Sequence, residues 1–269
     1  MIEAVTSFSP AGFAEYGERF MATFLYYWPR EVRLCVYYEQ MEPSGFRDER
    51  VAYTDIMALS NATVDFVARY GSIVERKKAE ARKPFRYDAT KFCRKVFAVE
   101  HAALRTRADK LYWLDADMVT FAPPTVGFLE SLLPEGCYLS SLQREGYHDE
   151  VGFMGFNTSH PAHAEWMARY AGMYRDGKFL EEREWHDGFL FSVLRRRMEA
   201  EGKFKSFNLS PGAPRGGHPW LVSPLATCFD HKKGARKLSG KSWQEDLEKM
   251  GARRREDYWK EMPSRYGRK

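Results

Sequence analysis

No stretch of this 269-residue chain is apolar for long enough to span a bilayer, and neither a tandem repeat nor a low-complexity tract is present. A membrane-spanning bundle and a repeat array are therefore excluded. The N-terminal Met1-Ile2-Glu3-Ala4-Val5 lacks a basic segment leading into a long apolar core, so a soluble cytoplasmic protein is expected. Cysteine is sparse. Cys35, Cys93, Cys137 and Cys228 are scattered, without the close pairs of a zinc site or a dithiol redox motif. Cys35 and Cys228 sit in apolar strand-like runs, where a thiol behaves as a small hydrophobe, and all four are expected to be reduced.

What the chain does have is material for one large core, 44% hydrophobic and 15% aromatic residues, at a length ordinary for an α/β domain. Ile2 to Phe8 predicts a strand, Ala11 to Trp28 a helix and Val32 to Tyr38 a second strand. This βαβ beginning suits a nucleotide-binding half followed by an acceptor-side half. Ser7, Ser9 and Tyr16 then stand at the carboxyl end of the first strand, where open α/β sheets bind ligands. Thr6 to Ser9 either surround a base and ribose or form a strand-to-helix turn with a Ser cap ahead of Pro10. Thr6 to Ala14 is not a glycine-rich basic phosphate loop, which weighs against a sugar nucleotidyltransferase.

The run Lys110-Leu111-Tyr112-Trp113-Leu114 ends abruptly in Asp115-Ala116-Asp117 before Met118-Val119-Thr120 resumes an extended pattern. In a strand, alternate side chains share a face, so Asp115 and Asp117 are placed to hold one hard cation, which would neutralise a diphosphate. The plainer alternative is a carboxylate-capped turn, although burying two anions without a partner is costly. Far downstream, His231 is followed at fixed offsets by Gly234 and Lys237. A neutral imidazole completes a carboxylate site for manganese, the Gly permits a tight turn and the Lys can meet a phosphate.

Three other segments carry candidate residues. A basic stretch from Arg76 to Lys83 precedes a helical pattern in which Phe92, Val96 and Val99 face the core and Asp88, Lys91 and Lys95 line an adjacent stripe. Gly152 to Thr158 reads as a strand whose small residues allow a sugar to lie alongside and whose end offers the amide of Asn157; a core strand turning at Asn157-Thr158 is the alternative. Asp187 sits where Arg183-Glu184-Trp185-His186 becomes a helix with Leu190, Val193 and Leu194 on its apolar face, so it is either a cap or a functional carboxylate. Trp185 is a candidate for stacking on a sugar face or for the core.

Together these segments resemble the metal-dependent glycosyltransferases of the GT-A fold, in particular the glycogenin-like and bacterial lipopolysaccharide galactosyltransferase families. The resemblance rests on Tyr112 to Val119 and on an H-x-x-G-x-x-K formed by His231, Gly234 and Lys237. It implies a Rossmann-like α/β mixed sheet flanked by helices over residues 1–240. It also implies that Asp115, Asp117 and His231 bind Mn2+ or Mg2+ and that Lys237 contacts the diphosphate of a nucleoside-diphosphate sugar, UDP-linked in these families. A basic residue on the preceding helix, Lys95 ahead of Lys91, would contact the diphosphate or pair with Asp115. Asn157 would touch the sugar, and Asp187 would face its anomeric carbon, either deprotonating the acceptor hydroxyl or holding the sugar and stabilising positive charge. The family's Lys is usually followed by Pro-Trp, whereas Leu238-Ser239 stands here. The implied reaction moves a hexose or related sugar to the hydroxyl of a glycan, glycolipid or small compound.

Residues 241–269 open with a capping box, Ser242-Trp243-Gln244-Glu245, and predict a helical basic extension in which Arg253-Arg254-Arg255 and later cations interleave with Tyr258, Trp259 and Tyr266. This tail reads first as solvated, within a modest formal net charge of +5. A nucleic-acid acceptor, such as a hydroxylated DNA base, is the second reading. Pro211 to Pro219 is either a mobile loop on the acceptor side or a connector.

Overall fold

A computed structural model describes residues 1–40, 42–43, 45–59, 62–213, 218–232 and 237. The basic extension, Gly234 and the middle of the Pro211 to Pro219 segment lie outside the described residues. Strand β1 (Ile2–Phe8) runs straight into a helical segment because Ser9 accepts a hydrogen bond from the Gly12 amide and Pro10 opens the first turn. That segment comprises α1 (Pro10–Gly12), a π turn (Phe13–Gly17) and α2 (Glu18–Tyr27). A Cβ at position 12 would press on the outer end of the Tyr16 ring, so glycine there leaves room for that side chain.

The chain continues through β2 (Arg33–Tyr38), β3 (Val51–Asp55), α3 (Ala62–Glu80), a 3-10 turn (Pro84–Tyr87), α4 (Ala89–Arg105) and β4 (Lys110–Leu114). Next come β5 (Met118–Thr120), α5 (Val126–Ser131), β6 (Leu139–Leu142), β7 (Glu150–Asn157), α6 (His163–Arg175), α7 (Asp187–Ala200), β8 (Ser206–Asn208) and β9 (Phe229–His231). Seven strands form a mixed sheet in the order β3-β2-β1-β4-β7-β6-β8, and β5 pairs antiparallel with β9 in a small second sheet. The first four strands in that order are mutually parallel, and β7 is antiparallel to both its neighbours.

Alternation along β4 divides the core. Leu111 and Trp113 belong to an apolar cluster with Phe66, Phe97 and Trp166, whereas Tyr112 and Leu114 belong to another with Phe20, Phe24 and Trp220. Burial on both faces explains the near-continuous apolar character of β1 and β4. Strand order reverses between them: after β1 the chain moves outward to β2 and β3, then returns to the other side of β1 as β4. Loops leaving the carboxyl ends of β1 and β4 therefore diverge and open a crevice.

Candidate active site

The two aspartates lie in a turn, not on a strand face. Strand β4 stops at Leu114, the Asp115 amide makes a last bond to the Gly152 carbonyl at 2.8 Å, and Met118 N–H closes a turn onto Asp115 O at 2.9 Å. Met118 then enters the second sheet, so the chain changes sheets within the motif. The expectation of a shared strand face is corrected accordingly, although the turn still gathers both carboxylates. Register Met118 to His231 between β5 and β9 brings the imidazole alongside, and a slip of one residue would turn it away.

His231 Nε2 lies 2.9 Å from Asp117 Oδ1 and 3.6 Å from Asp115 Oδ2, and Lys237 Nζ lies 2.8 Å from Asp117 Oδ2. Asp117 is 7% exposed and His231 1%. Burial pushes the Asp117 carboxyl up, but the His231 ring and the Lys237 ammonium outweigh it and hold the group well below the usual carboxylate range. Burial would also lower Lys237, and Asp117 raises it instead. Glycine is needed at position 152, because a Cβ there would come within 2.5 Å of His231 Cε1.

Asp115 is gripped from the other side. Its Oδ1 accepts from Trp113 Nε1 at 2.7 Å and from Lys95 Nζ at 2.9 Å. Lys95 also donates to the Val151 carbonyl at 2.6 Å and pairs with Asp187 Oδ2 at 2.8 Å, which uses all three of its N–H groups. The ammonium lies 5.0 Å from the centre of the Trp113 ring. Desolvation would lower the Lys95 pKa, but Asp115 and Asp187 raise it. Asp187 is the first residue of α7; the cap is His186, whose ring accepts from Phe189 N–H at 3.3 Å. Freed from capping, the Asp187 carboxylate points at Lys95, and this pairing overcomes burial and drives its pKa well down.

The donor set of Asp115, Asp117 and His231 fits a hard divalent cation, with candidate ligand atoms all within 4.8 Å of one another. The buried Nδ1 of His231 has no hydrogen-bond partner among the described residues and faces Glu150 Oε1 at 3.9 Å. A ring that gives Nε2 to a metal carries its proton on Nδ1, and a nearby carboxylate suits that tautomer. The site forms the floor of a cleft of about 520 Å³, with Ser7, Ser9 and Tyr16 on one wall and Lys78 and Lys91 among the other lining residues.

No protein-family model matches the sequence, and no curated protein matches it. Solved structures do match. The bifunctional glycosyltransferase WbbM, in its apo structure, superposes with a TM-score of 0.50 at 10% identity over 93% of this chain and 51% of that one. The chain has the GT-A glycosyltransferase fold. This chain spans about half of the WbbM chain. Mouse xyloside xylosyltransferase 1 in apo form is also similar, with a TM-score of 0.47 and 13% identity over 78% of this chain and 86% of that one. A glycosyltransferase involved in glycosylation of the major capsid of PBCV-1 gives 0.46 and 11% over 93% and 98%.

Within this GT-A frame, Asp115, Asp117, His231, Lys237, Lys95, Asp187 and Ser7 converge on the cleft or its floor. Thr6 does not reach it with its side chain, which is fully buried and donates to the Leu114 carbonyl at 2.8 Å, tying β1 to β4. Asn157 also lies elsewhere. Because β7 is antiparallel to β4, its first residues meet Asp115 while Asn157 pairs with Lys110, on the order of 16 Å away along the sheet. Its Oδ1 accepts from Ser159 N–H at 3.1 Å in a local turn. Gly155 serves packing, since a Cβ there would meet Ser140 Oγ at 2.5 Å. Trp185 is core, 6% exposed. Trp113, Val151 and Glu150 were not anticipated as site residues; only the Trp113 indole, two positions before Asp115, had a sequence signal.

Proposed function

We propose that this chain transfers a glycosyl group, a hexose or related sugar, from a nucleoside-diphosphate donor to an acceptor hydroxyl. The observation that carries the reading is the convergence of Asp115, Asp117, His231 and Lys237 at the β1/β4 crevice of a GT-A fold. Bound by Asp115, Asp117 and His231, Mn2+ or Mg2+ would supply Lewis-acid stabilisation of the leaving diphosphate. Lys237 adds a cation for the same phosphates, exchanging its contact with Asp117 for one with the donor. Ser7, Ser9 and Tyr16 line the wall that suits the nucleoside, which is UDP-like by resemblance.

Lys95 is the positioning residue. With its three donors spent on Asp115, Asp187 and Val151, it holds both carboxylates in register with the sugar to be transferred. Asp187 is poorly matched to proton abstraction, because a carboxylate held well below its usual range is a weak base near neutrality. Its fitted role is to orient the donor sugar and to stabilise positive charge at the anomeric carbon.

The test is a screen of nucleotide-sugar hydrolysis and transfer across several donors with manganese, repeated in excess chelator. Turnover that stops in chelator and returns with manganese is expected. Full turnover without metal, or no turnover with any donor, refutes the reading.

A further inference from the structure

A second hollow, of about 330 Å³, opens where α3 ends, lined by Lys77, Arg82, Lys83, Arg86 and Tyr87, with Glu80 as its carboxylate. Cations in the last turn of a helix complement its dipole, which accounts for Lys77 and Lys78 but not for Arg82, Lys83 and Arg86 beyond the end at Glu80. Lys77 lies 5.2 Å over the Tyr87 ring, and Arg86 pairs with Glu184 at 2.8 Å. Arg82 and Lys83 are exposed and have no ion-pair partner among the described residues. Phe85, on the same turn, is 55% exposed.

This hollow adjoins the proposed active site. Its neighbours Lys78 and Asp88, paired at 3.2 Å, line the cleft of the proposed active site, where Lys91 adds a cation and Arg94 pairs with Glu39 at 3.4 Å. Its Arg86 wall is bound to the segment before α7: the Arg86 carbonyl accepts from Trp185 N–H at 2.7 Å, and Glu184 links Arg86 to His186, next to Asp187. Cations along a path that ends at the reacting centre, beside an exposed ring, suit a chain of phosphates with stackable rings. A single phenyl group offers too little apolar surface for membrane insertion.

We propose that the acceptor is a single-stranded nucleic-acid-like phosphodiester, whose phosphates lie in this hollow and whose adjacent ring stacks on Phe85 as its hydroxyl enters the cleft. The acceptor role rests on the glycosyl-transfer reading; the binding site itself does not.

The experiment compares the full chain with R82E/K83E, two exposed positions outside the cleft. Fluorescence anisotropy with a labelled single-stranded oligodeoxynucleotide is read across a salt series, alongside UDP binding and nucleotide-sugar hydrolysis. The variant is expected to bind the oligonucleotide at least about tenfold more weakly, with a slope of log affinity against log salt shallower by about 1.4 for two lost phosphate contacts. UDP binding and hydrolysis should be unchanged. Equal oligonucleotide affinity and slope in both proteins overturns the proposal, as does binding to anionic phosphatidylglycerol vesicles without binding to the oligonucleotide. Oligonucleotide binding lost in the variant, with no hydrolysis of any donor by either protein, upholds the phosphate site and refutes the transfer reading separately.

Discussion

Two clusters in this molecule have similar donor chemistry: Asp115, Asp117 and His231 at the β4–β5 turn, and His148, Glu184 and His186 beside α7, each with ligand atoms within 4.8 Å of one another. Their surroundings differ. Glu184 is already held by Arg86 at 2.8 Å, His186 Nε2 at 3.1 Å and Arg183 at 3.6 Å. His186 Nδ1 accepts a backbone N–H, which leaves its proton on Nε2 facing Glu184 instead of a lone pair for a metal. Arg144 points at His148 Nδ1 from 3.1 Å, and burial, with His186 and Arg144 beside it, pushes the His148 pKa down to about 4. The second cluster is an internally satisfied brace for Asp187. The first opens onto a cleft, and its surplus carboxylate charge is met by Lys95 and Lys237 from two sides. Two sets of similar residue types thus differ in access to a cleft and in the cations that face them.

The largest effect that sharpens this contrast is expected from Asp115→Asn or Asp117→Asn. Either should cut metal-dependent turnover on the order of a thousandfold, about 4 kcal/mol, with circular dichroism unchanged. Activity within tenfold of the parent would place the metal elsewhere. Asp187→Asn comes next: transfer should drop about a hundredfold while donor affinity stays nearly constant. A mild effect would reduce Asp187 to a structural partner of Lys95. Lys237→Ala should raise the donor's dissociation constant about thirtyfold, ~2 kcal/mol, measurable by calorimetry with UDP. His231→Ala should weaken donor binding only when manganese is present.

Changes in the brace should be smaller and insensitive to metal. Glu184→Gln is expected to cost about 1–2 kcal/mol of stability, because Arg86 loses a buried charge partner, with no change in manganese affinity. A lost manganese titration in that variant would collapse the distinction between the clusters. His148 gives the mildest effect. Its folded pKa lies below the ordinary 6.5, so the unfolded chain takes up the proton first; its contribution is complete above about pH 6.5 and declines as pH falls towards 4. His148→Gln should flatten that limb in denaturant midpoints measured across the range.

Sequence patterns carried what is local. The bounds of β1, the helix after it, the carboxylate pair and the His231-to-Lys237 spacing were legible because each is written in adjacent residues. Direction of pairing was not. Nothing within Gly152 to Thr158 states that β7 opposes β4, and that long-range choice moved Asn157 to the far end and brought Gly152 beside His231. The same holds for Thr6, whose hydroxyl turned inward once β4 lay next to β1. Lys95 was legible as basic on the correct helix face, but its three simultaneous partners depend on α7 and β7 arriving together.

Strand β9 has only three residues, yet it delivers His231 to a partner 114 positions earlier. Closing so long a loop has an entropic cost that the short ladder must offset, with help from the Trp220 indole donating to the Phe229 carbonyl at 3.1 Å. During translation the whole seven-stranded sheet, complete by Asn208, is therefore available to fold before either His231 or Lys237 has been made. A nascent chain stalled short of β9 would carry the strands of the large sheet but neither His231 nor Lys237, leaving the buried Asp117 carboxylate without either of its partners.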